Sequence, residues 1–133
     1  MSAWGAGSFD NDDAYDWVYE VEETEDLSYV IETLKVVTRS QDYLEAPDCR
    51  RAIAAAEVIA AVKGKGSPHV PGEIKAWIKK HSFKVGRNNI QLALRAIMMV
   101  KMGSELSYMW LNTGEADRWM DMINNLEARL SSA

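Results

Sequence analysis

Cysteine, histidine and proline are scarce in this sequence, and each scarcity narrows what the chain can be. A single cysteine, Cys49, among 133 residues rules out an internal disulfide. The two histidines, His69 and His81, stand on different predicted elements with no His-Glu-x-x-His spacing and no cysteine pair, so no zinc-ligand pattern exists. No apolar run approaches the roughly 20 residues needed to span a bilayer, so no membrane role is expected. The N-terminus has no basic region followed by an apolar core; secretion is not expected, and the cytoplasm is the expected compartment. Gly5, Gly7, Gly64 and Gly66 do not spell a phosphate loop, and no Gly-x-Ser-x-Gly elbow occurs.

Positive charge is missing from the first 34 residues, which hold ten acids and no Lys or Arg. Residues 63–101 reverse this, with nine bases against the single acid Glu73, although the whole chain carries a net −5. Two readings follow. The acidic and basic segments lie together and neutralise each other, or one of them faces a partner of opposite charge.

What is present is helical patterning. At 133 residues the chain suits one domain that buries about two thirds of the surface its unfolded form exposes. Asp10 or Asn11 caps a first helix in which Ala14, Trp17, Val18 and Val21 share one face and Asp13, Asp16, Glu20 and Glu23 the opposite one. A second helix runs from Asp26 to Thr38, and Pro47 opens a third. Within that third helix, Ala52 to Val62 reads AIAAAEVIAAV, apolar on all sides except at Glu57, which marks it as a buried central helix. A buried carboxylate without partners costs several kcal/mol, so Glu57 must be hydrogen-bonded, paired with a base, protonated or on an exposed edge. After the break at 64–71, helices are expected over Gly72–His81, from Asn88 to Gly103 with Met98 and Met102 inward, after Ser104, and from Glu115 to Leu130. With no alternating strand pattern, the expected fold is an all-α, compact single-domain bundle of six to seven helices over 1–133, with an N-terminal hook at 1–10 and a flexible loop at 64–71.

Three separated stretches carry a family resemblance: AWGAGSFDNDDAYDW from Ala3 to Trp17, YLEAPDCRRAIAAAEVIAA from Tyr43 to Ala61, and TGEADRW from Thr113 to Trp119. In order and spacing they resemble the bacterial family catalogued as domain of unknown function 4259. The resemblance spans essentially the whole chain and implies the fold and motif boundaries but no assigned activity. Members usually begin Met-Gly, whereas this chain has Ser2, so the N-terminal myristoylation signal is absent.

Candidate chemistry centres on carboxylates. An EF-hand loop starting at Asp10 would require Gly at position 15 and Glu at 21, where Tyr15 and Val21 stand. A looser divalent-cation site from Asp10, Asp13 and Glu57 would form if the hook folds back on the third helix; the simpler reading is helix capping, with no metal and no cofactor. Cys49 lies near a helix start, where the dipole would lower its pKa, but small-residue packing is the simpler role. The five tryptophans read as core, and Trp4 or Trp17 is expected to pack near the third helix and help satisfy Glu57, closing the hook as a clasp. The basic segment offers only Trp77 and Phe83 for stacking, so nucleic-acid binding is not expected. An exposed subset of the seven methionines would mark a homodimer face. The leading functional expectation is an interaction or regulatory module, of the kind that inhibits or neutralises a basic protein, using Asp13, Asp16, Glu20 and Glu23. The alternative is a small carboxylate-dependent or metal-dependent enzyme centred on Glu57 with Asp10 and Asp13.

Overall fold

The side chain of Asn11 starts the first helix: its Oδ1 accepts the Ala14 N–H at 2.8 Å, and Asp12 and Asp13 fill the first turn, where the helix dipole favours negative charge. Across residues 5–133, which the computed structural model describes, seven helices follow in order and no strand occurs. They are α1 (Asp12–Glu22), α2 (Ser28–Thr38), α3 (Ala46–Val62), α4 (Gly72–His81), α5 (Arg87–Gly103), α6 (Glu105–Leu111) and α7 (Ala116–Ser131). The expected all-α bundle is the observed one. Its helix starts shift by a residue or two; α2 begins at Ser28 because the Asp26 carboxylate accepts the Ser28 N–H at 2.9 Å.

The poly-alanine character of α3 places it at the centre. Every residue from Ala52 to Ala60 is buried, and α3 packs against each of the other six helices. Small side chains permit that many close neighbours around one helix. Helices α2 and α5 pack on α3 and on each other, α1 lies against α3 and α4, and α6 and α7 close the remaining side. Capping ends α3 sharply. The Gly64 N–H donates to the Ala61 carbonyl (3.0 Å) and the Lys65 N–H to the Ala60 carbonyl (2.8 Å), a Schellman motif that requires the left-handed φ of +78° at Gly64.

One expectation is corrected here. Met98 and Met102 are 55% and 77% exposed, because α5 buries Ala93, Ala96, Ile97 and Val100 instead. The acidic and basic segments lie near each other where α1 packs beside α4, but without direct pairing: no ion pair within 4 Å links an acid of the first 34 residues to a base of 63–101 among the described residues.

Candidate functional site

Glu57 sits on α3 with 1% of its surface exposed, and its partners come from both ends of the chain. Arg129 of α7 grips it bidentately, Nη1 to Oε1 at 2.8 Å and Nη2 to Oε2 at 3.0 Å, and the Ser8 hydroxyl of the hook donates to Oε2 at 2.6 Å. Arg129 is itself oriented, donating from Nε to the Asn125 side chain (2.8 Å) and from Nη1 to the Lys65 carbonyl (3.0 Å). Of the four ways in which Glu57 would be tolerated, hydrogen bonding and pairing with a base operate together. The planar fork of arginine suits this use, since two parallel charge-assisted bonds fix the carboxylate in one orientation.

Of the two tryptophans expected at Glu57, Trp17 is bonded elsewhere. Trp17 is wholly buried, but its indole N–H donates to the Thr33 hydroxyl at 2.9 Å, so it ties α1 to α2 rather than to Glu57. The Trp4 part of that expectation lies outside the described residues. The hook instead closes through Ser8, and its shape is set by Asp10, whose Oδ2 accepts the Gly7 N–H at 3.0 Å. A Cβ at either Gly5 or Gly7 would stand 2.6 Å from that oxygen, so a side chain at either position would push the Asp10 carboxylate from its present place.

Asp13 goes elsewhere. It pairs with the buried Arg50 at 2.9 Å, with Arg51 at 4.0 Å, and so belongs to an α1–α3 clamp. The three carboxylates Asp10, Asp13 and Glu57 therefore do not converge, and among the described residues no three His, Cys, Asp or Glu side chains are grouped to hold a metal ion. Ser8, Asp10, Glu57 and Arg129 line an open cleft of about 680 Å³, walled on one side by Glu115, just before α7, and by the α7 stripe Arg118, Met122, Asn125, Arg129. The hook, the central helix and the TGEADRW segment, the three stretches of the sequence resemblance, meet around it.

The rest of the acidic face behaves differently from Asp13. Asp16, Glu20 and Glu23 are exposed, as are Glu22, Glu25 and Asp26, and none of these six forms an ion pair among the described residues. Beside them, between α1, α2 and the start of α3, lies a recess of about 290 Å³ with the carboxylates of Glu20, Glu32 and Asp48 on its walls, together with Tyr29 and Arg51. Tyr29 donates to Glu20 at 3.1 Å, and its pKa is raised by burial and then by that negatively charged neighbour. Cys49 is fully buried, and burial pushes its thiol up to about 11, against the helix-start effect that would have activated it.

The partners that sequence reasoning missed are Ser8, Thr33, Arg50 and Arg129. A signal existed for Arg50, which lies seven residues before Glu57 on the buried stripe of α3. The signal for Arg129 was weaker, a base beside Leu130 at the edge of an apolar stripe.

These features define an all-α domain built on one central helix, with a single buried carboxylate locked by an arginine and an acidic flank left open. The chain belongs to the family described as Domain of unknown function (DUF4259), whose model matches residues 2–122. No curated protein and no solved structure matches it.

Proposed function

We propose that this protein is an interaction module that docks a basic protein partner on the exposed acidic flank formed by α1 and the turn after it. The observation that carries this reading is the pairing of two features at one place: carboxylates at Asp16, Glu20 and Glu23 that form no ion pair among the described residues, and an adjoining recess walled by Glu20, which accepts from Tyr29, and by Glu32 and Asp48, which pair at 3.2 Å with Arg39 and Arg51. Such a recess suits an arginine or lysine side chain, with the Tyr29 ring offering a face for the cation. Unpaired acids around it would steer the partner in and set specificity more than raw affinity. In this reading Glu57 contributes by rigidity, held by Arg129 and Ser8 in one orientation.

Affinity purification of the tagged protein from its native cells at low salt tests the proposal, run beside the charge-reversed variant Asp16→Lys, Glu20→Lys, Glu23→Lys. Asp13 is left intact because it holds Arg50. A basic protein retained by the wild type and lost from the folded variant is the expected result. Equal retention by both, or no basic protein in either, overturns it.

A second contact has its own support. Met98, Met102, Tyr108 and Leu111 are exposed on α5 and α6, and the last three rim a recess of about 200 Å³ over Trp110 and Trp119. Exposed methionines beside buried indoles make an adaptable apolar surface of the kind used for self-association. Sedimentation velocity on the wild type and on Met98→Glu, Met102→Glu reads this directly: a dimer present in the first and absent from the second is expected, and a monomeric wild type removes it.

A further inference from the structure

The basic half of the chain has a surface of its own, on the side of α4 reached from the loop after α3. An open groove of about 410 Å³ runs between that loop and α4, floored by Ala61, Val70 and Ile78 and rimmed by Lys75 and Lys79. The two lysines stand one helical turn apart on the same face, an arrangement that by itself disfavours the helix slightly through like-charge repulsion. Neither forms an ion pair among the described residues, and no carboxylate lines the groove. In a chain of net charge −5, that is a local reversal.

The loop side adds donors. The negative end of α3 abuts this loop; its Ile59, Ala60 and Ala61 carbonyls are bonded to the N–H groups of Lys63, Gly64 and Lys65, and the attraction for an anion must come from Lys75 and Lys79 against that dipole. The next two N–H groups, of Gly66 and Ser67, have no acceptor among the described residues. Gly66 is pressed against α3, where a Cβ would come within 2.9 Å of the Ala61 Cβ, so the loop backbone, bare of side chains at Gly64 and Gly66, forms that wall of the groove. Two lysines without ion pairs on one rim, loop N–H groups without acceptors on the other side and an apolar floor between are the parts of a site for an anion carried on an apolar body.

We infer that this groove binds a small amphiphilic organic anion, a carboxylate or phosphate whose charged end meets Lys75 and Lys79 and whose apolar or aromatic body lies on Val70 and Ile78. The site is separate from the acidic flank and does not depend on the interaction reading above. Unidentified ligands of this class differ in their anionic group, and the probes separate the two.

Backbone amide spectra of the ¹⁵N-labelled protein are to be followed during titration with phenyl phosphate and with phenylacetate. Inorganic phosphate serves as the anion without a body, and benzyl alcohol as the body without an anion. The expected result is saturable shifts confined to residues 64–79 with at least one of the two aromatic anions, the tighter one identifying the anionic group. In Lys75→Gln, Lys79→Gln the affinity falls about fivefold, as two exposed charge contacts allow, while the other amides stay in place and report an intact fold. The inference is overturned by an absence of saturable shifts up to about 10 mM, by binding unchanged in the double variant, or by benzyl alcohol or inorganic phosphate matching the aromatic anions.

Discussion

Arg129 and Glu57, 72 positions apart in the chain, meet through two parallel hydrogen bonds at 2.8 and 3.0 Å, and the pair locks the last helix onto the central one. The carboxylate side is 2% exposed and the guanidinium side 19%, so the glutamate bears most of the desolvation and depends on the arginine to offset it.

Removing one partner should therefore cost more than removing both. Arg129→Ala leaves a buried carboxylate with only Ser8 and is expected to destabilise the fold by about 3–5 kcal/mol in urea unfolding. The double variant Glu57→Leu, Arg129→Leu should recover a large part of that loss, because an apolar pair of similar volume avoids the desolvation. A double variant no more stable than Arg129→Ala would mean that the pair gives more than charge compensation.

Ser8 reports on the hook. Ser8→Ala removes the 2.6 Å bond to Glu57 and leaves the arginine grip intact, so its expected cost is about 1–3 kcal/mol. Double-mutant cycles of Ser8→Ala with Arg129→Lys should show coupling, since both act on the same carboxylate, whereas Ser8→Ala with a distant surface change should be additive. Additivity in the first cycle would remove the hook from the Glu57 cluster.

How much of this was legible in the sequence depends on whether a feature is local. Helix positions were readable because caps and apolar stripes are written within a few residues: Asn11 for α1, Ser104 for α6, Gly64 for the end of α3. The burial of Glu57 was readable for the same reason, as one acid in an apolar run. Its partners were not, because Ser8 and Arg129 are 49 and 72 positions away and nothing local says which base turns inward. Asp13 shows the limit from the other side. Its place on an acidic helical face resembles that of Asp16, and only the packing of α1 on α3 assigns it to Arg50.

That assignment can be measured. Asp13→Asn should destabilise the protein by about 2–4 kcal/mol, because Arg50 is buried and would lose its charged partner. Asp16→Asn, on the same helix but exposed, should stay within about 0.5 kcal/mol. Equal effects at the two positions would place both on the solvated face and return Asp13 to the partner-binding surface.

Cys49 supplies a pH test. Burial raises its thiol from an ordinary value near 9 to about 11, so the folded protein holds the neutral form over a range in which the unfolded chain ionises. The folded pKa lies above the unfolded one; the stabilisation is complete below pH 9 and is lost as pH rises toward 11. A Cys49→Ala variant should therefore show a shallower decline in stability than the wild type across that interval. In the native wild type at about pH 8, a thiol-disulfide reagent should react at least a hundredfold more slowly than in the urea-unfolded chain, since burial withholds both the thiolate and access to it. Rapid native labelling would mean that the start of α3 opens readily, and it would return Cys49 to the set of reactive candidates that its position near a helix N-terminus first suggested.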